Sequence, residues 1–311
     1  MTTMPYLFDL AARFTGALSR LPLSFRERHT AYVVASLQPD GGFAGRQGAS
    51  NLYYAGFGLR SAQILDVSDA DFWRQAANYL RKAPAGDVAD IVTLLVGRWQ
   101  LMARGQTLWC ETCAEEKING LHKDLLDARS PDGGFAKTKG GKSSLYHAFL
   151  AALCSELLGQ EFPDRDRTVA AVLERQCSDG GFADVSGKHI EGTNPTAAAV
   201  GLLKVLGGLR AEPAERATKF VLAMQRSAGG FAAHPAAPVS DLMSTFTALV
   251  ALSDAGTIRR ARLGSAGRYV SRLALPAGGF LGLTGDNEPD IEYTYYGLGA
   301  LALLAEQATA P

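Results

Sequence analysis

Gln176-Cys177-Ser178-Asp179-Gly180-Gly181-Phe182 decides the architecture, because its last three residues return at near-constant intervals. Gly-Gly-Phe occurs five times, ending at Phe43, Phe135, Phe182, Phe231 and Phe280, with spacings of 92, 47, 49 and 49 residues. The first spacing is nearly two periods, so a degenerate repeat belongs inside it. Residues 81–103 fit, with Ala85-Gly86 standing where paired glycines are due. Six repeats result. Each runs from a helical stretch with charges on one face, such as ATKFVLAMQ, through a polar turn ending in Gly-Gly-Phe. A strongly apolar helix such as DLMSTFTALVALSDAG then follows. Paired glycines reach backbone angles closed to other residues, which permits a sharp reversal there.

A helix that is apolar on nearly all sides must be buried on nearly all sides, whereas one with a charged face lies outside. Six inner staves within six outer ones give an all-α, closed (α/α)6 toroid. An open solenoid of helix pairs is the competing arrangement, and six is the number of units that closes. Residues 1–24 are expected to be a helical lead-in and residues 25–311 the barrel.

Composition narrows the function classes. The 311 residues carry 31 basic and 31 acidic side chains, so net charge gives no general pull on nucleic acid or anionic membrane. No apolar run reaches the ~18 residues of a membrane span. The start, MTTMPYLFDLAARFTG, has neither the basic segment nor the apolar run of a signal peptide. A cytoplasmic location is expected. Four cysteines without regular spacing do not make a disulfide framework, so the lone Cys110-Glu111-Thr112-Cys113 reads as two reduced thiols. His147, His189 and His234 lack metal-like neighbours at helical spacing and read as lone surface or packing histidines.

Gln38-Pro39-Asp40-Gly41-Gly42-Phe43 and the stretch ending at Phe182 resemble the repeat signature of protein prenyltransferase β subunits and the related repeat of squalene-type terpene cyclases. The resemblance covers about residues 25–305. It implies parallel inner helices whose N-termini surround a greasy cavity that takes an isoprenoid chain. Helix N-termini suit a diphosphate there. It also implies catalytic residues in the first turns of inner helices, and a helical partner subunit.

The family's zinc ligands would fall in Asp241-Leu242-Met243 and Asp290-Ile291-Glu292-Tyr293-Thr294. Met243 stands in place of Cys, and Tyr293 in place of His. Both losses remove donors that zinc prefers, so zinc is not expected. The cyclase acid motif laid on the second segment puts Glu292 at the proton donor, a role that needs burial to raise its pKa. Asp241, Asp290 and Glu292 are therefore the catalytic candidates, and an acidic rim of this kind would hold a diphosphate through Mg²⁺. Acids in these places also serve simply as helix caps. Tyr53, Tyr54, Tyr146, His147, Tyr293 and Tyr295 gather at the same level, as wall residues for an isoprenoid chain or as ordinary packing. Two functions stay open: an isoprenoid-handling enzyme, by prenyl transfer or cyclisation, and a non-catalytic toroid binding a lipid or a protein partner.

Overall fold

A computed structural model describes residues 4–185 and 191–309. The lead-in is helix α1 (Tyr6–Leu18), and six outer–inner pairs follow. The outer helices are α2 (Leu23–Ala35), α4 (Ala70–Lys82), α6 (Glu111–Asp127), α8 (Arg165–Leu173), α10 (Ala211–Ala223) and α12 (Leu263–Leu273). Their inner partners are α3 (Leu52–Ile64), α5 (Val88–Met102), α7 (Leu145–Leu158), α9 (Thr193–Val205), α11 (Leu242–Asp254) and α13 (Ile291–Thr309). Each inner helix packs on the inner helix of the next repeat, and α13 packs on α3. The toroid is closed.

The glycine turns explain the closure. Gly229 has φ +104°, and a Cβ there would lie 2.1 Å from the Ser265 carbonyl oxygen of α12. Each such turn is pressed against the outer helix of the following repeat. The turn of the last repeat presses on the first outer helix instead, with Gly278 against the Arg28 carbonyl of α2. His29 seals that seam: its Nδ1 accepts the Gly279 N–H at 3.1 Å, and its ring stacks on Phe280 at 4.8 Å. The five phenylalanines of the motif are fully buried, as plugs between neighbouring repeats would be.

Behind three of these phenylalanines the chain makes two-residue antiparallel hairpins, β1 (Phe135–Ala136) with β2 (Ser143–Ser144), β3 (Phe182–Ala183) with β4 (Glu191–Gly192), and β5 (Phe231–Ala232) with β6 (Ser240–Asp241). Thr196, Thr245 and Thr294 accept the backbone N–H of Phe182, Phe231 and Phe280, locking those three turns to their inner helices. The degenerate second repeat has a short link over 83–87 in place of a hairpin.

The lead-in is no appendage. α1 lies across the C-terminal ends of the inner helices and closes that end of the barrel. Tyr6 donates its hydroxyl to Asp254 at 2.8 Å and its N–H to Glu156 at 3.1 Å. Arg13 pairs with Glu306 at 2.8 Å. Asp254, 2% exposed, also pairs with Lys204.

The cysteine reading needs correcting. Cys110 and Cys113 are joined as a disulfide across the first turn of α6, a turn that brings their Cα atoms within 5.5 Å. Cys154 and Cys177 are free. His189 lies outside the described residues.

Candidate functional site

All six inner helices start at one end of the barrel. Asn51, Asp87, Ser144 and Asp241 cap four of them by accepting a backbone N–H of the first turn. Asp290 does the same for the N–H of Glu292 at 2.8 Å. With the starts aligned, equivalent positions form rings around the axis. The second residues are Tyr53, Ala89, Tyr146, Asn194, Met243 and Glu292. The helical repeat brings the fifth, sixth and ninth residues back to the same face. The cavity they surround has about 1090 Å³ of empty space, its open mouth included. The cavity volume comparable with other small-molecule pockets is about 200 Å³, below their usual ~300–1,000 Å³.

Tyr53, Tyr146, Asn194 and Met243 line the mouth. Below them come Phe57, Val92, Thr93, Phe149, Leu150, Ala197, Ala198, Phe246, Thr247, Tyr295 and Tyr296. Arg60, Leu153 and Val250 follow, and Tyr6, Leu7 and Leu10 of α1 form the floor. The aromatics make a continuous wall: Phe57 meets Tyr53 at 5.0 Å and Tyr296 at 5.3 Å, and Tyr296 stacks on Phe246 at 5.3 Å.

The sequence candidates divide by helical phase. Tyr53, Tyr146 and Tyr295 line the cavity. Tyr54, His147 and Tyr293 are not among its lining side chains, because each follows an axis-facing residue and successive side chains on a helix diverge by about 100°. Tyr54 covers Gly45, His147 bonds the Ser144 hydroxyl at 2.7 Å, and Tyr293 covers Gly282 beneath Arg46. Asp241 and Asp290 occupy the capping positions and spend carboxylate oxygens on first-turn donors.

Glu292 is in phase with the axis. Its Oε1 accepts the Tyr53 hydroxyl at 2.7 Å and the Tyr296 hydroxyl at 3.0 Å, bridging α13 to α3. Burial pushes its carboxyl up from the ordinary range, while the two phenols hold it back. Burial also raises Asp290. The same environment drives the Tyr53 and Tyr296 phenols well above their usual range, with the Glu292 charge adding to burial.

The donor set does not fit the zinc of the prenyltransferases. Met243 presents a thioether to the cavity, where Asn194 Nδ2 approaches it at 3.4 Å, and Tyr293 faces away. Among the described residues no group of three or more His, Cys, Asp or Glu gathers to hold a metal ion.

With this geometry in view, comparison with known proteins is direct. The sequence matches the family described as the prenyltransferase alpha-alpha toroid domain over residues 10–213 and again over 196–310. The chain belongs to that family. Protein geranylgeranyltransferase-I of Candida albicans, solved with GGPP, superposes with a TM-score of 0.64 at 15% identity, covering 97% of this chain and 92% of that one. A type II terpene cyclase of Scytonema, solved with the product merosterolic acid A, gives 0.62 at 16% identity, covering 96% and 99%. The α-1,6-mannanase GH76A of Salegentibacter gives 0.62 at 11% identity, covering 96% and 99%. At these identities the likeness is one of fold, and the mannanase illustrates how different the chemistry on it can be. No curated protein matches the sequence. No helix among the described residues is long and apolar enough to cross a membrane.

Sequence reasoning missed Phe57, Arg60, Asn194, Phe246 and the floor residue Tyr6. A signal for Asn194 was present: it stands one and two 49-residue repeats before Met243 and Glu292.

Proposed function

We propose that the toroid binds an isoprenoid chain in its central cavity. The observation that carries this is the wall itself, in which Phe57, Phe149, Phe246, Tyr295 and Tyr296 stand one turn below the mouth around an apolar shaft. A branched polyene presents alternating methyl and π surface that such rings cover well. Burying a chain at ~0.8 kcal/mol per CH₂ supplies gross affinity beyond ordering costs.

The geometry favours holding the chain over reacting it. Protonating an alkene needs a carboxylic acid; burial raises the Glu292 carboxyl towards that form, but both phenol bonds occupy its Oε1 and oppose the shift. A carbocation inside the barrel would also meet the Arg60 guanidinium. Prenyl transfer by the family route lacks its metal donors at Met243 and Tyr293.

Calorimetric titration with farnesol and geranylgeraniol tests the proposal. Low-micromolar saturable binding is expected. Ala198→Trp, which fills the shaft opposite Phe57, should abolish it with the helical circular dichroism unchanged. Failure of both alcohols to bind, or binding indifferent to Ala198→Trp, refutes the reading.

A further inference from the structure

Arg60 is the ninth residue of α3, about 10 Å along the helix from Tyr53 at the mouth. The corresponding positions on the other five inner helices are Val96, Leu153, Gly201, Val250 and Gly299. One cation therefore sits in an otherwise apolar ring of the barrel. Its Nε donates to the Gly56 carbonyl at 2.8 Å, which folds the side chain back towards the mouth. The guanidinium carbon lies 4.8 Å from the ring centres of Phe57 and of Tyr295. Among the described residues no carboxylate comes within ion-pair distance, and neither Nη nitrogen has a hydrogen-bond partner. Glu292, the second residue of α13, is engaged by Tyr53 and Tyr296.

Thr93 of α5 stands beside it. The point a Cβ would occupy on Gly56 is 2.5 Å from Thr93 Oγ1 and 3.6 Å from Arg60 Nη2, so glycine at 56 leaves both polar atoms over the same Cα. The Thr93 and Tyr295 hydroxyls make no hydrogen bond among the described residues, and both side chains line the cavity. Two Nη nitrogens and the Thr93 hydroxyl thus lie close together in an aromatic wall, with the Tyr295 ring alongside.

We propose that this spot receives a carboxylate, so the natural ligand is a chain-bearing acid whose head lies inside the barrel. This rests on the chain-binding reading of the cavity and specifies its ligand. A fixed pair of Nη donors matches a carboxylate in both shape and single charge. A diphosphate would bring two or more further negative charges into a ring with no second cation. A neutral alcohol would meet the Nη donors with a single oxygen and no charge, and so gain less from them than a carboxylate does.

The test compares farnesoic acid, farnesol and farnesyl diphosphate, the last with Mg²⁺ present, by calorimetry on the whole chain at pH 7.5. Wild type should bind the acid at least about tenfold tighter than the alcohol. Arg60→Met keeps the side-chain length without the charge. It should lower acid affinity at least about tenfold and leave the alcohol within about threefold, while Arg60→Lys retains part of the preference. If Arg60→Met disturbs folding by circular dichroism, Thr93→Val carries the same comparison with a smaller loss. Equal affinity for acid and alcohol on wild type, with the ratio unmoved in Arg60→Met, overturns the carboxylate site and leaves the chain site standing. Diphosphate binding tighter than the acid overturns it too. Binding of none of the three overturns both readings.

Discussion

Acid should open the seam at His29, and by an amount the structure allows to be worked out. The ring is fully buried, its Nδ1 is an acceptor for Gly279, and its Nε2 has no partner among the described residues. Burial, with Arg28 adding a smaller repulsion, lowers its pKa from 6.5 to about 4. The folded state therefore holds His29 neutral while the unfolded chain takes up a proton first. The stability so contributed is complete above pH 6.5 and is lost as pH falls through the window from 6.5 to 4. At 1.36 kcal/mol per pKa unit, the loss attributable to this ring is about 3 kcal/mol at pH 4. His29→Asn keeps an acceptor for the Gly279 N–H and does not titrate. Urea unfolding of both proteins at pH 7.5 and pH 4 isolates the histidine, because carboxyls raised by burial, such as Glu156 and Asp254, act alike in each. Wild type should lose about 3 kcal/mol more than His29→Asn over that interval. Parallel losses would refute the argument that the closing contact carries a buried neutral histidine.

The remaining expectations are compact. Gly229→Ala should cost more than about 2 kcal/mol in urea unfolding, combining left-handed strain with a backbone clash. Gly48→Ala, at φ +97° with nothing within 4 Å, should cost about 1 kcal/mol; equal losses would remove the packing explanation of the glycine turns. Tyr6→Phe deletes the phenol bond to the buried Asp254 carboxylate and should cost about 1.5–3 kcal/mol. An unchanged urea midpoint would show that the floor helix is not latched there.

The toroid was legible because its determinants are local and repeated. A glycine pair pressed on the next outer helix must recur once per unit, so it writes the period into the chain, as the Gly229–Ser265 contact shows. The seam was less legible: nothing near His29 announces that its partner lies at Gly279, since a closing contact occurs once and leaves no repeat. The cavity fell between these cases. Tyr53 and Tyr146 were found by their type, but so were Tyr54 and His147, one residue out of phase. Residue type carries no phase until a cap fixes where each helix starts, and Asn51, Ser144 and Asp241 supply that origin. The disulfide between Cys110 and Cys113 was missed for a related reason, because only the first turn of α6 brings the pair together.

Phase also locates the specificity of the site. The outer helices and glycine turns are committed to closure, and Asp241 and Asp290 cap their helices. The second-ring aromatics suit any hydrocarbon chain. If the cavity holds a chain, the charged groups left to discriminate are Glu292, bonded to Tyr53 and Tyr296, and Arg60, set deeper with its Nη donors unspent. In that case selectivity depends on the ring below the mouth more than on the capping positions.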